Sequence, residues 1–358
     1  MAELIRLPEL ELDSGRTLTD VPVAYDAWGE LNAAADNAII VCHALTGNTE
    51  AAVWWGGLIG SGQPLDTDRY FVICLNVLGS PYGSVSPLTI DAASGRPYGP
   101  DFPDVTIRDT VRAHRAVLEL LGVRRAVMAL GGSMGGMQAL EWAFEDDFVE
   151  GIVPIAVGGR HSAWCIGFSE AQRQAIYSDR RWNGGHYDEQ PQDGLAAARM
   201  IAMISYRSHR SFERRFGRSE QEGVEGLFAV ESYLRYQGRK LVGRFDANCY
   251  VKLSQQMDSH DMARDRGDYA AVVSGIRHRT LVIGIDSDVL YPVEEQEELA
   301  SLIPNARLEI IPSVYGHDAF LIELEALGGV LRSWMDAELK GAETAAEVLS
   351  EGTGLTSS

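Results

Sequence analysis

The sequence predicts an α/β protein: a mostly parallel sheet with helices on both faces and a helical insertion between two of its strands. Three observations predict it. Short apolar runs bounded by polar, Gly or Pro residues alternate with stretches of helical periodicity, the pattern of a sheet buried on both faces. The strand pattern disappears between Gly159 and about Gly275 and resumes at Thr280. In mid-chain, the turn Gly131-Gly132-Ser133-Met134-Gly135-Gly136 leads from a strand pattern into a helix pattern.

The strand candidates, in order, are Ala38–His43, Tyr70–Val77, Ala126–Leu130, Ile152–Val157, Thr280–Ile285 and Arg307–Ile311, with Thr17–Tyr25 as an antiparallel edge strand. A helix over Thr106–Leu121 carries Ile107, Val111, His114, Leu118 and Leu121 at 3-4 spacing and ends at Gly122, a residue suited to the left-handed position after a helix. His114 falls on the inward stripe, which marks it as a buried structural histidine. The insertion shows helical patterns such as Gly194–Tyr206. Ligands of open α/β sheets bind beyond the carboxyl ends of the strands, so an insertion there forms a lid. The organisation expected is a first core part over 1–159, a lid over 160–275, a second core part over 276–342 and a flexible tail over 343–358.

Composition narrows the function classes. The 358 residues are 46% apolar, enough for a sizeable core, and 23% charged. The net charge of −20 disfavours nucleic acid and anionic membranes, since no phosphate neutralisation would drive binding. Basic residues nevertheless concentrate between Arg173 and Arg244, where they could meet a small anion. Four scattered cysteines without C-x-x-C spacing give no disulfide framework, metal site or redox pair. No signal peptide or 18-residue apolar run is visible, so the expected setting is the reducing cytoplasm.

The chemistry starts at Ser133. A G-x-S-x-G sequence between strand and helix is the nucleophile elbow, a turn so tight that only small residues fit two before and two after the serine. It lifts the hydroxyl above the sheet and aims backbone N–H groups where an oxyanion would develop. The same glycines loosely imitate a dinucleotide-binding turn, so the motif alone is ambiguous. Residues further along the chain decide for the elbow. Such a serine needs a carboxylate and then a histidine, in that order, at later strand ends. The run Thr280–Ile285 ends in Asp286-Ser287-Asp288, and Arg307–Ile311 leads to the loop holding His317. Position alone leaves Asp286 and Asp288 even. For the oxyanion hole, the N–H groups of Leu45 and Met134 are the candidates, Leu45 lying in the loop after Ala38–His43. His43 reads as a loop-shaping residue.

Cys42-His43-Ala44-Leu45-Thr46-Gly47, Asn76-Val77-Leu78-Gly79, the Ser133 turn, Ala198-Arg199, Arg244-Phe245-Asp246, Asp286-Ser287-Asp288 and Gly316-His317-Asp318 together resemble the homoserine O-acetyltransferase family, from about Tyr25 to Trp334. The resemblance implies an α/β-hydrolase fold with a helical lid that also forms a homodimer. It implies ping-pong transfer of an acetyl group from acetyl-CoA, as co-substrate and with no bound cofactor, to the hydroxyl of L-homoserine, a step of methionine biosynthesis. It makes Ser133 the nucleophile, His317 the base and acid, and Asp288, favoured over Asp286 by the S-D-x-L pattern, the orienting carboxylate. It assigns Arg199 to the acceptor's carboxylate, with Arg207 a weaker match, and Asp318 to its amino group. An Arg grips a carboxylate with two N–H donors, so opposite charges across a pocket select a zwitterion. Two loops depart from the family's commonest form: Ser80-Pro81-Tyr82-Gly83-Ser84-Val85-Ser86-Pro87, and Thr49-Glu50 where a His is usual. They bear on donor and acceptor, because relatives use succinyl-CoA or serine. A plain esterase on the same triad is the rival within the fold.

Overall fold

The computed structural model describes residues 2–339; the tail expected over 343–358 lies outside them. Its main sheet has eight strands: β1 Glu3–Glu11, β2 Thr17–Trp28, β3 Ala38–Cys42, β4 Phe71–Leu75, β5 Ala126–Gly132, β6 Val149–Ile155, β7 Arg279–Ile285 and β8 Ala306–Ile311. They lie in the order β1-β2-β4-β3-β5-β6-β7-β8. From β4 onward all neighbours are parallel, while β1 and β2 run antiparallel at one side. The α/β class expected from the sequence is therefore the one observed.

Two expectations shift. The edge strand is Glu3–Glu11, which places β2 one position inward. Its alternation is masked by charge and by Pro8, a residue an edge tolerates because no partner needs its missing N–H. The run read as Ile152–Val157 is instead Val149–Ile155. It starts where Val149 pairs with Ala126 and ends before Ala156, whose φ of 49° breaks the ladder.

The core helices are α1 Ile107–Leu120, α2 Met134–Glu141, α9 Val293–Leu302 and α10 Leu324–Trp334. Thr106 caps α1 in a reciprocal arrangement with Asp109, and Gly122 follows it at φ 86°. Buried apolar side chains form one cluster on each face of the sheet, which accounts for the nearly continuous apolar strands.

Between β6 and β7 no strand joins the main sheet. This segment holds α3 Ala163–Tyr177, α4 Gln192–Ser205, α5 His209–Arg215, α6 Ala229–Val242, α7 Ala247–Asp258 and α8 Tyr269–Ser274. Glycines let three of its helices, α3, α4 and α6, approach closely. A Cβ on Gly194 would meet the backbone of Ala175 and Ile176 at 2.7–2.8 Å, and one on Gly238 would meet Ala196 at 2.8 Å.

Candidate active site

Ser133 sits between β5 and α2 with φ 58° and ψ −126°, a strained conformation for a residue with a Cβ. Its N–H donates to the Ile155 carbonyl at 2.9 Å, which pins the turn to β6. The flanking glycines are required by contact. A Cβ on Gly131 or Gly135 would strike the Cys42 carbonyl of β3, and one on Gly136 would meet Val157 at 2.6 Å. Strand, sharp turn and helix thus interlock, and the serine is carried to the carboxyl edge of the sheet.

Asp288 and His317 reach the same edge from β7 and β8. His317 Nδ1 lies 2.7 Å from Asp288 Oδ2, and both residues are buried. The other carboxylate oxygen of Asp288 accepts the N–H groups of Leu290 and Tyr291 at 2.8 and 3.0 Å, so this acid is held on both sides. Asp286 is exposed and accepts the Ser313 N–H at 2.8 Å, bracing the loop after β8. Geometry separates the two aspartates that position alone left even: Asp288 pairs with the histidine and Asp286 does not.

Three aromatic rings enclose His317. Tyr291 stacks on it at 5.2 Å, Phe320 meets it edge-on at 5.5 Å and Tyr206 lies at 5.7 Å. Phe320 also packs against Gly132, beside the serine. His317 Nε2 is buried and without a hydrogen-bond partner, so it is the open side of the ring and makes no bond to Ser133 in this state. Such bonds commonly tighten only when substrate arrives. Burial alone would depress the basicity of the ring. The negative charge of Asp288, its hydrogen bond and the charge of Asp318 outweigh that, and the histidine pKa is raised above its ordinary value.

The two oxyanion candidates are backbone groups at adjoining strand ends. Met134 is the first residue of α2, where an N–H has no intrahelical acceptor. Among the described residues, Leu45 N–H has no acceptor either. Its peptide is nevertheless fixed, because the Ala44 carbonyl of that same unit accepts from Gly47 N–H at 2.8 Å and lies 2.9 Å from His43 Nδ1. His43 Nε2 accepts from Val77 N–H at 3.1 Å, so Nδ1–H is the donor to Ala44. Burial pushes His43 down to about 4, which keeps the ring neutral for this task. His114, with Nε2 3.3 Å from the Asn76 carbonyl, is pushed down to about 3 for the same reason. Neither histidine takes part in the Asp288 pair.

Arg199 projects from α4, its guanidinium 5.5 Å from the centre of the Tyr206 ring, and it lines a cavity of about 570 Å³ shared with Gly132, Phe320, Glu50, Tyr82 and Arg244. Asp318 follows His317 and is less free than its place in the sequence suggests. Arg207 Nε lies 2.9 Å from its Oδ2, with the N–H off the direct line. Arg207 does not continue the helix of Arg199. The helix ends at Ser205, and Asp318 N–H donates to the Tyr206 carbonyl at 3.1 Å, tying the linker to the histidine loop. Burial raises the Asp318 pKa, while Arg207, His317 and Arg199 oppose the rise. Tyr82, Lys240 and Arg244 also line the cavity, and sequence reasoning does not single them out as site residues. Arg244-Phe245-Asp246 is visible as a motif, but the Arg244 partners Thr46 and Tyr82 lie 198 and 162 positions earlier in the chain.

A strand order built around a strained serine turn, with a carboxylate and a histidine on later strand ends, defines an α/β-hydrolase-type enzyme. A family model described as alpha/beta hydrolase fold matches residues 37–324. The homoserine O-acetyltransferase of Salinibacter ruber is 58% identical over 344 residues, covering 93% of this chain and 97% of that protein. That of Nostoc punctiforme is 54% identical over 330 residues, with 90% and 92% covered. Among solved structures, homoserine O-acetyltransferase from Bacillus anthracis superposes with a TM-score of 0.87 at 26% identity, covering 94% of this chain and 97% of that one. Esterase E22 superposes equally well, with a TM-score of 0.87 at 26% identity and 94% and 99% covered. The chain belongs to the homoserine O-acetyltransferase family, within the α/β-hydrolase fold, and is an acyltransferase.

Proposed function

We propose that the protein transfers the acetyl group of acetyl-CoA to the hydroxyl of L-homoserine, through an acetyl ester on Ser133, and so serves methionine synthesis. The observation that carries this reading is the buried Asp288–His317 pair, its Nε2 open, at the same sheet edge as the strained Ser133 turn. In the first half-reaction Ser133 Oγ attacks the thioester carbonyl while His317 Nε2 takes the hydroxyl proton. The developing oxyanion is met by the N–H groups of Leu45 and Met134. Collapse breaks the C–S bond, and His317 returns the proton to the departing thiolate. In the second half the homoserine hydroxyl loses its proton to Nε2, attacks the acetyl ester and releases Ser133 with that proton.

The acceptor's charges suit the groups around the pocket. Arg199 takes the carboxylate, and Asp318 takes the ammonium through the oxygen that Arg207 leaves open. Gripping both ends holds the hydroxyl at the acyl-enzyme, and such positioning can be worth effective molarities of about 10⁵ M or more. That advantage is what a transferase needs over water. Lys240 at the cavity suits the phosphates of coenzyme A.

The equal likeness to an esterase makes hydrolysis the second reading. Free thiol is measured with acetyl- or succinyl-CoA against homoserine, serine or no acceptor. The expected result is no more than one equivalent of thiol per protein from acetyl-CoA alone, sustained release only when homoserine is present, and neither in Ser133→Ala. Sustained release beyond one equivalent without acceptor selects the esterase, and preference for succinyl-CoA or serine reassigns the substrates.

A further inference from the structure

Arg244 stands in the turn between α6 and α7, in a segment remote in sequence from the loop after β3, yet it binds that loop directly. One guanidinium nitrogen donates to the Thr46 carbonyl at 2.9 Å and to the Tyr82 hydroxyl. The other nitrogen lies 3.5 Å from Thr46 Oγ1. The arginine is itself well based. Phe245 is buried with its ring edge-on to Tyr82 at 5.7 Å, and Asp246 caps α7 through Cys249 N–H at 3.0 Å while accepting from the Tyr187 hydroxyl at 2.7 Å.

The bonded peptides form a chain that ends at the candidate oxyanion donor. Arg244 holds the carbonyl of the Thr46–Gly47 peptide. The N–H of that same peptide donates to the Ala44 carbonyl, which His43 also engages. The Ala44 carbonyl is the opposite end of the planar unit that carries Leu45 N–H, and in a trans peptide the two dipoles point in opposite directions. Holding the carbonyl therefore sets the direction of the N–H. The guanidinium suits this role because its donors lie in a fixed plane and can serve Thr46 and Tyr82 together.

We propose that Arg244 is a positioning residue for the oxyanion hole: through Thr46 and Gly47 it fixes the peptide that presents Leu45 N–H, so that the helical segment sets the acylation power of the core. The proposal rests on the reading of Ser133 as nucleophile and Leu45 as oxyanion donor. It competes with the simpler role of Arg244 as a phosphate contact for the acyl donor.

The test compares acetyl-CoA with p-nitrophenyl acetate, an acyl donor without phosphates, in the full-length protein. Removing one oxyanion donor costs about 10²–10³ in rate, and misaligning it costs less. Arg244→Ala is expected to lower kcat for p-nitrophenyl acetate by roughly tenfold or more, and to lower transfer from acetyl-CoA in parallel. Arg244→Lys, which keeps one donor for Thr46, is expected to recover part of the loss. Tyr82→Phe, which leaves the Thr46 bond in place, is expected to lose less than Arg244→Ala. Arg244 is exposed and Tyr82→Phe removes only a hydroxyl, so an unchanged melting temperature is expected to accompany these variants. Unchanged turnover of p-nitrophenyl acetate in Arg244→Ala overturns the proposal, whether transfer from acetyl-CoA falls or not. Ser133→Ala separates the two levels: if it retains turnover of the ester, the nucleophile reading itself fails.

Discussion

At the residue scale, the proposed triad depends on which of two neighbouring aspartates faces the histidine. Asp288 supplies a charge and a hydrogen bond to a ring that burial would otherwise make a weak base. Asp288→Asn should cut kcat by about 10³–10⁴, because the amide no longer holds the required tautomer or stabilises the imidazolium. The sign of the pH effect is set by the same pair. The proposed base must be neutral to accept the serine proton, so activity is expected to rise with pH through the raised His317 pKa. With the Asp288 charge gone, burial dominates and the residual activity's acidic limb moves to lower pH. Asp286→Asn should leave rate and profile near those of the parent, since its carboxylate only braces Ser313. Full pH–rate profiles of both variants check this, and a collapse in Asp286→Asn rather than Asp288→Asn would reverse the assignment.

At the element scale, the elbow works because β3, β5 and α2 approach too closely for side chains. Gly135→Ala would drive a methyl group into the Cys42 carbonyl, an atom held in the sheet and unable to move aside. The expected cost is roughly 1–3 kcal/mol or more, typical of overpacking in a dense interior, with loss of activity as Ser133 is displaced. Chemical denaturation measures the first and ester turnover the second. Gly15 is the matching control: a Cβ there meets nothing within 4 Å, although its φ of 77° still disfavours a side chain, so Gly15→Ala should cost less and leave turnover intact. The loop–helix link at His317 is of the same kind, since Gly316 at φ 71° lies against the Ser208 backbone. The histidine loop and the helical segment are consequently one packed unit.

At the scale of the whole molecule, several buried histidines are kept neutral. Burial pushes His43 down to about 4 and His114, His161 and His260 to about 3. For each, the unfolded chain takes up a proton near pH 6.5 while the folded one does not. The stability they contribute is therefore present above about pH 6.5 and lost as pH falls toward the folded-state values. Each contributes a slope on the order of 1 kcal/mol per pH unit. His317, with its raised pKa, acts in the opposite sense and offsets part of this. Unfolding free energy measured by denaturant between pH 7 and 5 should fall steeply with acid. A flat profile would show that these rings are protonated in the folded protein. No helix among the described residues is long and apolar enough to cross a membrane.

The sequence by itself determined the alternation of strand and helix, the serine turn and the order of serine, aspartate and histidine, because these depend on local periodicity and on spacing along the chain. It singled out His317 as a candidate from a strand end and a loop, and the structure pairs that residue with Asp288. It did not reveal the edge strand Glu3–Glu11, whose charges and Pro8 hide a period that only pairing with β2 enforces. It could not rank Asp286 against Asp288 on physical grounds, since both sit at one strand end and only packing says which of them the histidine meets. Nor could it show that Arg207 holds Asp318 or that Arg244 holds Thr46. Those contacts join residues more than a hundred positions apart, and no local period encodes them. The tertiary structure decided them through the close approach of the helical segment to the strand ends, where charged side chains find partners that the chain order conceals.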